Sequence, residues 1–173
     1  MRTLILGGAR SGKSALAERL ATESGHEVVY IATAQAHDEE MAARIAHHRA
    51  QRPPHWLSVE EPLALADALQ THARPGRCVL VDCLTLWLSN LLGHPDSEHF
   101  KRERDALLHL LPSLKGQVLL VSNEVGMGVV PMGELTRRFV DEAGRLHQLL
   151  AAQCERVVLV VAGLPMPLKG SLT

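Results

Sequence analysis

The sequence is short of cysteine, of positive charge in excess and of long apolar runs, and each shortage removes a class of protein. It has three cysteines, Cys78, Cys83 and Cys154, an odd number with no Cys-x-x-Cys pair among them. That excludes a disulfide framework and points to a reducing interior, with the thiols serving as small buried side chains. Lysine and arginine number 18 against 19 acidic residues, for a formal charge of -1. The basic residues are scattered, so no positive field exists to hold a nucleic-acid backbone, and a polynucleotide partner is not expected. No apolar run reaches the roughly 18 residues a membrane helix needs, and Met1 leads straight into a strand without a charged leader. The expectation is a cytoplasmic protein without stable membrane insertion. No internal repeat or low-complexity segment is present.

The chain has 173 residues, 46% of them apolar and 21% charged. This suits one globular domain, residues 1–173, able to bury a full core without staples. Short runs rich in Val, Leu and Ile recur at Thr3 to Leu6, Val28 to Ala32, Cys78 to Val81, Gln117 to Val121 and Val157 to Ala162. They are nearly continuous rather than alternating, the pattern of strands covered on both faces. Helix-length segments lie between most of them: Lys13 to Glu23, Asp38 to Ala50, Pro62 to Thr71, Leu84 to Leu92, Glu98 to Leu111 and Glu134 to Gln153. The fold class read from this alternation is α/β, a mainly parallel, doubly wound central sheet with helices on both faces. The stretch Gln51 to Glu61 is the least regular, because Pro53-Pro54 must interrupt a helix.

The first strand runs into Gly7-Gly8-Ala9-Arg10-Ser11-Gly12-Lys13-Ser14, followed by the helical Ala15-Leu16-Ala17-Glu18. Gly-x4-Gly-Lys-Ser between a strand and a helix is the P-loop pattern in its required context. Its glycines let backbone N–H groups turn inward around phosphate oxygens, at the positive end of the following helix. Lys13 is expected to reach the β- and γ-phosphates and the Ser14 hydroxyl to hold Mg²⁺. A second metal contact is expected from a carboxylate closing a neighbouring strand, and Asp82 after Val79-Leu80-Val81 fits. A helix N-cap before Leu84 is the structural alternative for Asp82, and the two roles are compatible.

Two of the ten histidines are adjacent, His47 and His48, inside Met41-Ala42-Ala43-Arg44-Ile45-Ala46-His47-His48-Arg49. On a helix with Met41 and Ile45 as its apolar packing face, His48 lies about 60° from Ile45 and His47 about 160° away. A solvated side chain is one reading of an off-core histidine. A nucleophile toward a nucleotide phosphate is another, because neutral imidazole prevails at pH 7. Zinc is disfavoured, since no cysteine or carboxylate pair stands at ligand spacing. Periodicity does not choose among these.

Together with the P-loop and histidine segments, four others matter: Tyr30-Ile31-Ala32-Thr33-Ala34, Arg52-Pro53-Pro54-His55-Trp56, Asp82-Cys83-Leu84-Thr85, and Ser122-Asn123-Glu124-Val125-Gly126-Met127-Gly128-Val129-Val130-Pro131. The set resembles, over almost the whole chain, the bifunctional adenosylcobinamide kinase and adenosylcobinamide-phosphate guanylyltransferase family of cobalamin biosynthesis. The resemblance implies two reactions. Adenosylcobinamide is phosphorylated with ATP or GTP, and GMP then passes from GTP to the new phosphate, giving adenosylcobinamide-GDP. It further implies a covalent GMP-histidine at the first of the paired histidines, making His47 the nucleophile. The nucleotide site it implies comprises Gly7, Gly8, Ala9, Arg10, Ser11, Gly12, Lys13, Ser14, Ala32, Thr33, Ala34, His48, Arg49, Ala50, Gln51, Glu60 or Glu61, and Asp82. A glutamate there would meet the guanine N1–H and amino donors. The partners implied are the nucleotides, a corrinoid and further copies of the chain, in a homo-oligomer such as a trimer.

The loop from Asn123 to Gly133 follows a strand and is expected at the carboxyl edge of the sheet, on the substrate side. Glu124 there is either a base for the phosphorylation step or a carboxylate holding its own loop. Two rivals are weighed. A generic small-molecule kinase of the adenylate-kinase type would carry an arginine-rich lid, which is missing. A nucleotide-dependent switch of the GTPase kind would carry Asn-Lys-x-Asp, also missing.

Overall fold

The computed structural model describes residues 1–35 and 39–172, and within helix Glu39–Gln51 the side chains of residues 44, 47, 48 and 51 lie outside the description. Seven strands form one sheet: β1 (Arg2–Gly7), β2 (Glu27–Ala32), β3 (Leu57–Glu60), β4 (Arg77–Asp82), β5 (Gln117–Asn123), β6 (Arg156–Val161) and β7 (Leu164–Lys169). The helices are α1 (Lys13–Glu23), α2 (Glu39–Gln51), α3 (Leu65–His72), α4 (Leu84–Leu92), α5 (Ser97–Leu110) and α6 (Glu134–Gln153), with a 3-10 turn at Leu111–Ser113. The strand order is β3-β2-β4-β5-β1-β6-β7. All pairings are parallel except β6 with β7, an antiparallel hairpin.

The continuous apolar strands divide their side chains between two cores. Leu4 and Leu6 of β1, Val29 and Ile31 of β2 and Val79 and Val81 of β4 pack on one face with Leu65, Trp87, Leu107 and Leu146 from α3 to α6. Ile5, Val28, Tyr30, Cys78 and Leu80 pack on the other with Leu16, Ala17 and Leu20 of α1, and with Trp56. Burial on both faces is what removes the polar alternation from the strands. At the sheet's edge β7 departs from that pattern: Pro165 and Pro167 lack donors, which an edge strand tolerates.

Several boundaries move from the sequence expectation. Residues 62–64 form a turn ahead of α3, because Glu61 Oε1 accepts from the N–H groups of Leu63 (2.9 Å) and Ala64 (2.8 Å). The cap of α4 is Cys83, not Asp82, and it makes no side-chain cap. β3 and β7 are strands the sequence does not announce. The expected start of α2 at Asp38 lies outside the described residues.

Candidate functional site

The parallel order sends every strand of the central set out at one edge, and the nucleotide machinery gathers there. β1 ends at Gly7, and the chain turns through Arg10 (φ 56°) and Gly12 (φ 95°) into α1. Gly7 has no room for a side chain: a Cβ would stand 2.4 Å from Ser11 Oγ and 2.7 Å from Val160 O. The loop is braced from the far end of the sequence. Gly163, in the turn of the β6–β7 hairpin, donates its N–H to Ser11 O at 2.8 Å, and its Cα stands 3.1 Å from where a Gly12 Cβ would be.

Lys13 folds back over this turn, its Nζ donating to Gly8 O at 3.1 Å, with only 9% of the residue exposed. Ser11 Oγ is buried without a hydrogen-bond partner among the described residues. An orphaned hydroxyl costs on the order of 1–3 kcal/mol, a cost that an anion's oxygen seated in the loop removes. Loop, lysine and helix N-terminus together make a cradle for phosphate.

The cradle opens into a cleft of about 580 Å³. Ala9, Arg10, Ser11, Gly12, Lys13 and Ser14 line one side, and Ala32 and Ala34 the end of β2. Asp82 closes β4 in the same cleft, its Oδ2 accepting from Tyr30 Oη at 3.1 Å. Burial first, then the adjacent Asp82 carboxylate, push the Tyr30 phenol far above its ordinary range, so Tyr30 is a fixed donor. Over the ring lies the Arg52 guanidinium, 3.5 Å from the centroid, in cation–π stacking.

Other expected residues are elsewhere. Thr33 is fully buried and its polar groups are engaged internally. Its Oγ1 donates to Cys83 O (2.7 Å) and accepts from Cys83 N (3.0 Å), its N–H bonds Asp82 O, and its carbonyl accepts from Asn90 Nδ2. It joins β2 to the start of α4 and is not among the residues lining the cleft. Arg49 and Glu60 meet each other as an exposed ion pair, and neither lines the cleft. Ala50 is exposed, and Glu61 holds the turn before α3 as described. Gly7 and Gly8 shape the loop without lining the cleft. The side chains of His47, His48 and Gln51 lie outside the described residues.

One premise changes with α2. Met41 and Ile45, expected to pack on the core, line the cleft instead, and neither belongs to a core cluster. The helical angle measured from them therefore no longer argues for His47, whose assignment as nucleophile rests on the resemblance alone. Glu124 is a loop-holding carboxylate: Oε1 accepts from Gly126 N at 2.6 Å, and Oε2 faces His147 Nδ1 at 3.9 Å. His147 is buried, its Nε2 2.7 Å from Ser122 Oγ, and burial, partly offset by Glu124, holds its pKa below the usual histidine value. The lining residues missed from sequence are Ala15, Tyr30, Met41, Ile45, Arg52, Cys83, Leu86 and Asn123. For Asn123 the signal was its position at the carboxyl end of a central strand.

A parallel sheet with a phosphate cradle at its carboxyl edge, a carboxylate two strands away and a deep cleft between them defines a P-loop nucleotide-binding enzyme. Solved structures agree on the fold. The chain superposes with the RadB recombinase at TM-score 0.50 and 17% identity, covering 91% of this chain and 73% of that one. A Pyrococcus horikoshii OT3 protein, PH0250, gives 0.57 at 11% identity, with 98% and 86% covered. Sequence comparison narrows the class: residues 3–168 match the CobU family, "Cobinamide kinase / cobinamide phosphate guanyltransferase", and the chain belongs to that family. It is 67% identical over 170 residues to the bifunctional adenosylcobalamin biosynthesis protein CobP of Pseudomonas aeruginosa, covering 98% of both chains. It is 43% identical over 182 residues to the corresponding CobU of Escherichia coli K12, covering 98% of this chain and all of the relative.

Proposed function

We propose that this chain carries out both family reactions in the one cleft. It phosphorylates the hydroxyl of adenosylcobinamide from ATP or GTP, and it then moves GMP from GTP to the cobinamide phosphate. The observation that carries this reading is the phosphate cradle with its unpartnered Ser11 hydroxyl, opening into a single cleft in a chain of this family. In the first reaction Lys13 leaves Gly8 O to meet the β- and γ-phosphates, stabilising charge on the departing diphosphate.

Mg²⁺ suits the donors available. Ser14 and Asp82 are oxygen donors lining the same cleft, and the described residues contain no cluster of three His, Cys, Asp or Glu. An ion held by one or two protein oxygens, with water and phosphate completing its shell, is what Mg²⁺ prefers. When bound, it would neutralise charge on the phosphate oxygens. Tyr30 orients Asp82 for that role through its hydrogen bond.

In the second reaction a neutral His47 nitrogen attacks the α-phosphorus of GTP. A P–N bond forms as the α–β bridging P–O bond breaks, and pyrophosphate leaves. An oxygen of cobinamide phosphate then attacks the same phosphorus, releasing the histidine. The protein works in the cytoplasm, in keeping with three free, buried cysteines. Its family role also implies a homo-oligomer such as a trimer. The exposed apolar segment of Met127 (77%), Val129 (96%), Val130 (73%) and Met132 (96%) offers a surface for another copy.

The test is incubation with magnesium and α-labelled GTP, a quench in base, and intact mass on wild type and His47→Ala. A GMP-sized adduct on wild type, absent from the variant and lost in acid, is expected. Its absence from wild type with nucleotide binding intact would refute the covalent route.

A further inference from the structure

β5 is the strand that lies between the two carrying the nucleotide machinery, β1 with the cradle and β4 with Asp82. Its last residue is Asn123. On one side Asn123 is level with Gly7, and on the other Val121 is level with Asp82, so β5 extends past the end of β4. Asn123 lines the same cleft as Lys13, Ser14 and Asp82. Its backbone is pinned from two directions. Asn123 N donates to Thr85 Oγ1 of α4 at 3.2 Å, and the next N–H, of Glu124, donates to Gly7 O at 2.9 Å. Thr85 is itself buried and within 3.1 Å of Cys83 Sγ, so this anchor is fixed.

The carboxamide stands in contrast to that backbone. Its Oδ1 is buried and has no hydrogen-bond partner among the described residues. Buried amide oxygens without a partner are rare in folded proteins, and one on the wall of a ligand cleft marks where a ligand's donor belongs. A carboxamide also donates through Nδ2, so it can hold two groups at once, an acceptor and a donor. Between a P-loop lysine and a strand-end carboxylate the group to be held is the γ-phosphoryl.

We propose that Asn123 is a catalytic residue of the phosphorylation reaction alone, contacting a γ-phosphoryl oxygen through Nδ2 and the attacking hydroxyl of cobinamide through Oδ1. The hydroxyl oxygen forms its bond to the γ-phosphorus as the bridging P–O bond to the β-phosphate breaks. The nucleoside diphosphate leaves with that electron pair, and the hydroxyl proton passes to solvent. In guanylyl transfer the α–β bond breaks instead, and the γ-phosphoryl departs intact within pyrophosphate. The same amide then touches only a spectator group. One cleft thus acquires a residue that distinguishes its two reactions.

The inference rests on both reactions using this cleft, and that premise is checked separately by wild-type turnover of each half. Asn123→Ala and Asn123→Asp are assayed for ATP-dependent phosphorylation of cobinamide and for guanylylation of preformed cobinamide phosphate by GTP. Phosphorylation kcat is expected to fall by about 10- to 100-fold, while guanylylation kcat at saturating GTP stays within about threefold. Calorimetry is expected to show that Asn123→Asp weakens nucleoside triphosphate binding but leaves diphosphate binding unchanged, because the carboxylate repels only a γ-phosphate. If Asn123→Ala does not fold, the isosteric Asn123→Asp carries the same comparison. Equal losses in both halves, loss of guanylylation alone, or no loss in either would overturn the assignment.

Discussion

Gly7 and His147 show what single side chains decide here, one by being absent and the other by being buried. With Ser11 Oγ and Val160 O inside 3 Å of any added Cβ, Gly7→Ala must displace either the loop or β6. Nucleotide affinity in a titration is expected to drop by at least about tenfold, alongside a loss of stability of about 1–3 kcal/mol from overpacking. His147 sits against Ser122 behind the loop, and burial lowers its pKa when folded. The unfolded chain therefore takes up a proton near pH 6.5 that the folded chain resists. Stability from this residue is present above that pH and is lost as pH falls below it toward the folded value. Denaturant melts of wild type and His147→Gln are expected to converge between pH 7 and pH 5, the variant showing the flatter profile. The thiols give a third test. Burial raises Cys78 and Cys154 to about 11, and burial with the neighbouring Asp82 charge raises Cys83. Iodoacetamide at pH 8 should leave all three unlabelled in the native protein and label them in denaturant.

Among the elements, α5 rests on a local device that can be removed cleanly. Asp96 Oδ1 accepts from Glu98 N at 3.0 Å, and Oδ2 takes Arg102 Nη2 at 2.7 Å. Asp96→Ala should cost about 1 kcal/mol, read as a lower melting temperature with nucleotide binding unchanged. Elements that carry strong local signals were legible from sequence: α1 and α6 begin and end where expected, and all five inner strands were found to within two residues. The two missed strands lie at opposite ends of the sheet, where one side lacks a neighbour. β3 is four residues, half of them polar, and β7 contains two prolines, so neither carries the apolar run by which a buried strand is recognised. The phosphate-binding half of the site was legible because the glycines, Lys13, Ser14 and Asp82 sit at fixed points of strand and helix. Its other wall was not. Tyr30 and Arg52 meet only after β2 and the segment following α2 converge, and a helix's apolar stripe reads the same whether it covers a core or, as with Met41 and Ile45, a cleft.

At the scale of the molecule, the described residues include two apolar areas that folding of one chain does not cover. One is the 127–135 segment, and the other is the hairpin edge with Val161, Leu164, Met166 and Leu168. Prolines 165 and 167 blunt β7 against strand-to-strand growth, which favours closed association through side chains. Val129→Asp is expected to reduce the mass seen by light scattering while leaving the circular dichroism spectrum unchanged. The brace on the phosphate loop has a consequence in time. β1 comes early in the chain, yet its neighbours are β5 and β6, and the N–H that holds Ser11 O belongs to a glycine 152 residues further on. While the protein is being made, the loop that grips phosphate emerges long before the hairpin that steadies it. A growing chain thus presents the phosphate loop before the hairpin that braces it, and nucleotide capture is expected to await docking of that hairpin.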